Sequence, residues 1–185
     1  MNPSPSITET ISTMFSQSLQ VLTKPSVATF EQYEAKGSLR EALIYVLLFA
    51  VIGALGSLGG GVTAFLNSII GTVAGFLVFV YLVHTIGKSQ GGTGSLDHVA
   101  YTFALFWGPL SVLLGIATLI LIITLIGILL LPLLFLAFLA VNIYFGYLAV
   151  QSSMNLTESG KIWITLIGAA AGSFLVSIVI GAILG

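Results

Sequence analysis

From Val99 to Val150 the chain is apolar for 52 residues. One helical crossing of a ~30 Å hydrocarbon core takes ~20 residues, so this run is too long for one span and fits two joined by a tight turn. The remainder agrees with that reading. The chain is 57% hydrophobic and 6% charged, with mean hydropathy +1.15, whereas soluble domains carry about a quarter charged residues. It has too little polar surface to cover a globule. The fold class that follows is all-α, an integral membrane bundle without a soluble domain.

Spans before and after the long run complete the expected architecture. In "GSLREAL", Ser38 with Glu41 three residues on forms a capping-box signature. The first span opens there, continues to about Leu58 and ends at "GSLGGG". A second runs from Val62 to Ile86 and stops at "GKSQGGTGS", after which Ser95 or Asp97 is placed to cap a third helix. The turn inside the long run is expected at "TLIG", Thr124 to Gly127. Pro109 would bend the third helix, while Pro132 is tolerable in the first turns of the fourth. "QSSMNLTESGK" is a polar loop, and Ile162 to Leu184 forms a fifth span.

Charge orients this five-span bundle. Lys24, Lys36, Arg40, Lys88 and Lys161 all fall on one side and the other side holds no Lys or Arg. The positive-inside bias then puts the N-terminus in the cytoplasm and the C-terminus outside. A single crossing through 99–150 would move Lys161 to the other side, so the charges favour the hairpin. Tyr45, Tyr81, Tyr101, Tyr144, Tyr147 and Trp163 fall toward the cytoplasmic helix ends, where amphipathic rings prefer the interface. Tyr101 and Tyr144 are equally placed to pack between helices.

Residues 1–40 form a polar lead to the five-helix domain of 41–185. Its start, "MNPSPSITET", lacks the basic and apolar regions of a secretory signal, so the first apolar run is expected to stay as an anchor. Ile7, Ile11, Met14, Ser18 and Leu22 recur at three- and four-residue spacing, with Phe15 and Leu19 beside them, which predicts an amphipathic helix over 6–22 suited to a membrane interface. Pro25 ends it, and Thr29 with Gln32 behind it suggests a second short helix carrying Phe30 and Tyr33. The expected cytoplasmic surface combines Ile7, Ile11, Phe15, Leu19, Phe30, Tyr33, His84, Asp97 and His98.

An amphipathic lead "VLTKPSVATFEQ", then "REALIYVLLFAVIGAL" and four further spans, with "YTFALFWGPLSVLLGI" opening the third, resembles the Yip1 domain family over nearly the whole chain. The resemblance implies a cytosolic N-terminal segment, five membrane helices and a C-terminus on the far side. Eukaryotic relatives act in trafficking between endoplasmic reticulum and Golgi, associate with Rab-type GTPases, and include proteins that help shape membranes. This chain has a short lead without the family's Tyr-Gly-Pro-containing stretch, and "WGP" at 107–109 falls inside a helix, so Rab-type GTPase binding is not carried over. Its compactness is similar to that of bacterial or archaeal members, which implies a prokaryotic plasma membrane.

Few residues offer chemistry. The chain has no cysteine, which excludes disulfides and thiolate metal sites, and its net charge of -1 argues against a nucleic-acid surface. None of its Asp, Glu, Lys or Arg residues falls deep in a span, where an ion-coupled transporter would carry them. Asn67, Thr72, Asn142, Ser173 and Ser177 are neutral and suit hydrogen bonds between helices. His84, Lys88, Asp97 and His98 flank one loop, but their spacing fits no metal motif and no cofactor is implied. "GGTGS" lacks the lysine of a phosphate loop and reads as a flexible linker, and "NLT" at 155–157 is a chance glycosylation match on a cytoplasmic loop.

Small residues recur four apart at Gly56 and Gly60, Gly71 and Gly75, and Gly168 and Gly172. Ala169, Ser173, Ser177, Gly181 and Gly185 continue down one face of the last helix. Such faces let helix backbones approach closely, within one bundle or at a homo-oligomer seam. Two functions from different classes follow. The leading one is a non-enzymatic membrane-organising, shaping or trafficking-type adaptor that contacts the bilayer and a membrane-protein partner. The other is a small transporter, channel or lipid-moving protein with a neutral path past Asn67, Asn142 and Tyr144. No nucleophile–base pair or metal-ligand set supports an enzyme.

Overall fold

The structure, a computed structural model, describes residues 5–184. Its elements are α1 (Ile7–Thr23), α2 (Val27–Glu34), α3 (Leu39–Ala54), a 3₁₀ turn (Leu55–Gly60), α4 (Gly61–Ser89), α5 (Leu96–Ile122), α6 (Leu125–Met154) and α7 (Ser159–Leu184). Among the described residues there is no strand.

Local chemistry sets most boundaries. Ser6 caps α1 by accepting the Glu9 N–H at 3.2 Å, and Pro25 prevents its continuation. The cap of α2 is Ser26, which accepts the Thr29 N–H at 3.1 Å; Thr29, the expected cap, lies inside the helix. Ser26 is extended directly after Pro25, so the helix starts three residues earlier, and the Thr29 hydroxyl donates back to the Lys24 carbonyl at 2.8 Å. Ser38 and Glu41 form the capping box that opens α3. Ser95 caps α5 by accepting the His98 N–H at 3.2 Å. Asp97, the alternative cap, instead accepts the Leu39 N–H at 2.7 Å, closing the first turn of α3 from another helix.

The long apolar run turns at Ile123–Thr124. Thr124 accepts the Gly127 N–H at 2.9 Å, and a Cβ on Gly127 would run into the Leu121 carbonyl. α6 ends with Asn155 in the left-handed region (φ 54°, ψ 38°), where the Leu156 N–H returns to the Gln151 carbonyl at 3.1 Å.

Among the described residues four helical segments are long and apolar enough to cross a membrane: Leu39–Ser89, Leu96–Ile122, Gly127–Met154 and Ser159–Val179. The first, 51 residues long, contains α3, the 3₁₀ turn and α4. α3 packs against α4, and Leu39 at the start of α3 lines one groove with Leu77, Val78 and Tyr81 of α4. The two helices therefore double back on each other at "LGSLGG".

α4 packs on α7, α5 packs on α3 and α6, and α1 and α2 lie against α3, α5 and α6. The core is concentrated toward the end of the bundle that carries α1 and α2. In α5 the buried residues run from Val99 to Leu110, in α6 from Phe145 to Met154, and in α4 from Phe76 to Gly87. The opposite halves expose Leu113, Leu119, Ile123, Leu129 and Leu133, an apolar surface that only lipid can cover without aggregation.

Candidate functional site

The lead is docked on the bundle through polar contacts made by its buried face. Thr10, Met14, Gln17, Ser18 and Val21 of α1 face inward. Tyr101 donates its hydroxyl to Gln17 Oε1 at 2.8 Å, and the Ser18 and Tyr45 hydroxyls are 3.0 Å apart. Tyr45 and Tyr101 are both buried: for Tyr45 the expectation of an interfacial ring is corrected, and Tyr101 takes the packed alternative, while Tyr81, Tyr144 and Trp163 are exposed. Buried tyrosine hydroxyls need partners, and Gln17 and Ser18 supply them.

The stripe expected on α1 faces the bundle over most of its length, and the residues beside it face outward. Of the stripe residues, Met14 and Ser18 are buried and Ile7, at the helix start, is 61% exposed, while Phe15 (53%) and Leu19 (50%) beside the stripe are exposed. Ile11 and Leu22 are half-buried. At 3.6 residues per turn Phe15 and Leu19 lie roughly two-fifths of a turn round from the inward face.

α2 closes the same end of the bundle. Phe30, 0% exposed, meets Phe106 edge-on at 6.0 Å and Phe145 at 6.4 Å between ring centroids. Tyr33 is buried and donates to Gln20 Oε1, and Ser152 donates to Glu34 Oε2 at 2.5 Å. Phe30 and Tyr33, expected on an accessible face, are thus inside. A helix of 8 residues is marginal alone. Burying one phenylalanine contributes ~1.5–3 kcal/mol, and each favourable ring pair adds ~0.5–1.5 kcal/mol, so docking holds α2 in place.

The loop between α4 and α5 is pinned, contrary to the flexible linker expected from "GGTGS". The Thr93 N–H donates to the Met154 carbonyl at 3.0 Å, Asn155 Nδ2 donates to Thr93 Oγ1 at 3.1 Å, and Lys88 Nζ donates to the Thr93 carbonyl at 3.0 Å. A side chain on Gly94 would collide with the Ser153 carbonyl. His84 and His98 are half-buried, and with Asp97 committed to α3 and Lys88 to the loop the four do not converge. Among the described residues no group of three His, Asp or Glu side chains is placed to hold a metal.

Beneath the Phe30 plug lies a cavity of about 420 Å³ between α4, α5, α6 and α7. Phe76, Phe79, Phe103, Phe106 and Trp107 form its walls, with Asn142, Ser173 and Ser177 among its lining residues. Phe76 stacks on Trp107 at 5.5 Å, and Phe106 on Phe145 at 5.4 Å. Of the three residues of the proposed polar path, Asn142 lines this cavity, and its Nδ2 donates to the Phe138 carbonyl at 3.0 Å. Tyr144 is exposed beside Phe145, and Asn67 is half-buried near the other end of α4.

The small-residue pairs divide. Gly168 and Gly172 face Ile86 and Leu82, whose methyl carbons would lie 3.0 and 2.8 Å from an added Cβ, so they permit the close contact of α7 with α4. Gly71, Gly75 and Gly181 have open space, and Gly56 and Gly60 belong to the 3₁₀ turn. The Ser173 hydroxyl is buried without a partner, and Ser177 donates to the Phe174 carbonyl at 2.7 Å. Gly185 lies outside the described residues. Gln17, Gln20, Gly37 and Gly108, which hold the lead and the α3–α5 contact together, escaped sequence reasoning. The aromatic set Phe103, Phe106 and Trp107, spaced three and four apart, was a helical-face signal that could have found the cavity wall.

The Yip1 domain model matches residues 19–181. No curated protein and no solved structure is significantly similar to the chain. The match begins near the end of α1 and ends within α7, covering α2 and every candidate span, and the chain accordingly belongs to the Yip1 domain family, as a multi-pass integral membrane protein.

Proposed function

We propose that this protein is a non-enzymatic organiser of the bilayer, with residues 41–185 crossing it five times and residues 1–40 forming the working face on the cytoplasmic side. The observation that carries the reading is the docked lead. Its inward polar contacts fix α1 on the bundle and leave Phe15 and Leu19 as an outward apolar ridge, with Ile7 exposed at the helix start. A ridge held rigidly at a bundle end inserts at the headgroup–acyl boundary without the ordering cost of a free amphipathic helix.

Five crossings are supported by the folding back of α3 on α4 and by the charge pattern, since that count is the one that would put all five Lys and Arg residues on one side. A conduit is less well supported, because the walls of the cavity are aromatic and Asn67, Asn142 and Tyr144 do not share it.

Reconstitution into vesicles tests the proposal. The wild-type protein is expected to tubulate or shrink vesicles observed by electron microscopy, and the triple variant Ile7→Ser, Phe15→Ser, Leu19→Ser to lose that effect while inserting normally. Vesicles indistinguishable from protein-free controls, or deformed equally by both proteins, would refute it.

A further inference from the structure

We propose that the cavity between α4, α5, α6 and α7 is a binding site for one acyl chain of a membrane lipid. Its volume of about 420 Å³ falls within the ~300–1,000 Å³ of ligand pockets. None of its described lining residues is charged. The rim residues Ile143 and Phe174 are exposed and apolar, and on α7 the rim continues into the exposed Leu175 and Ile178. The mouth is therefore continuous with the surface that contacts lipid.

Depth agrees with this occupant. Trp107, Asn142 and Ser173 lie roughly 11–14 residues from the ends of α5, α6 and α7 nearest the lead, or ~16–21 Å at 1.5 Å per residue. That register belongs to the hydrocarbon. Water is poorly served there, since a buried water needs about two to four polar partners. Asn142 gives one Nδ2 hydrogen to the Phe138 carbonyl and Ser177 gives its hydroxyl hydrogen to the Phe174 carbonyl, so few polar sites remain for water in an otherwise apolar and aromatic lining. An empty cavity would forfeit dispersion contacts along the aromatic walls. A flexible hydrocarbon chain fills the space, needs no hydrogen bonds, and is abundant at the mouth.

The test uses the full chain in vesicles of phosphatidylethanolamine and phosphatidylglycerol doped with a phosphatidylcholine analogue carrying a diazirine on one acyl chain. After irradiation, adducts located by mass spectrometry are expected at Phe79, Trp107 and Asn142 in excess of those at Leu129, a lipid-facing control. A Cβ on Gly75 would enter open space in the cavity, so Gly75→Leu fills it without backbone conflict. That variant is expected to lower cavity labelling about tenfold, with Leu129 labelling unchanged. Ala170→Leu, which narrows the rim, is the second blocking variant should the first fail to elute as a monodisperse protein. Cavity labelling no greater than at Leu129, or labelling unaffected by a folded blocking variant, would each overturn the proposal.

Discussion

At the scale of single residues the lead is held by a few buried groups whose removal has different costs. Tyr101→Phe deletes the hydroxyl that Gln17 Oε1 accepts at 2.8 Å and leaves that oxygen unpaired, at a cost of ~1–3 kcal/mol. Phe30→Ala removes a ring with 0% exposure between Phe106 and Phe145, and large-to-small changes of this kind cost ~3–5 kcal/mol. Phe30→Ala should therefore lower the thermal midpoint in detergent further than Tyr101→Phe. It should also open α2 to limited proteolysis; equal protection of the two variants would contradict the plug. The sequence marked Tyr101 as an amphipathic ring, and its partner is Gln17, 84 positions away. No local pattern encodes a hydrogen bond across that separation.

Helix ends and helix contacts set the next scale. Caps are local, which is why Ser38–Glu41 was legible at α3 and the Thr124 turn could be placed in an unbroken apolar run. Asp97 was legible as a cap, but the helix it caps, α3, is not its own. Asp97→Ala should cost ~1 kcal/mol and should raise hydrogen exchange at the Leu39 amide while leaving the Ser95-capped start of α5 protected. Glycine spacing was a weaker guide, because it records where a helix is thin and not what faces it. Gly172→Leu would drive a side chain into Leu82 and should destabilise by ~1–3 kcal/mol. Gly71→Ala, with open space before it, should be neutral or stabilising by up to ~1 kcal/mol. Thermal unfolding of the two variants compares them directly, and an equal loss would mean that both glycines are packed.

For the whole molecule the decisive measurement is topology. The chain has no cysteine, so single cysteines introduced as Ser12→Cys, Ser57→Cys, Gln90→Cys, Thr124→Cys and Thr157→Cys report individually to a membrane-impermeant maleimide. Five crossings predict that positions 12, 90 and 157 label from one side and 57 and 124 from the other. Labelling of 57 with 12 would make Leu39–Ser89 a single crossing and remove the odd count. Composition and run length were enough to give the sequence reading a helical membrane protein with several apolar segments, because both depend on transfer of side chains between water and hydrocarbon residue by residue. The seating of the lead and the cavity beneath it were decided only by tertiary structure. Buried Tyr45 and Tyr101 require polar partners, so α1 presents Gln17 and Ser18 inward and leaves Phe15 and Leu19 outside, and α2 drives Phe30 into a gap that exists only once α5 and α6 have packed.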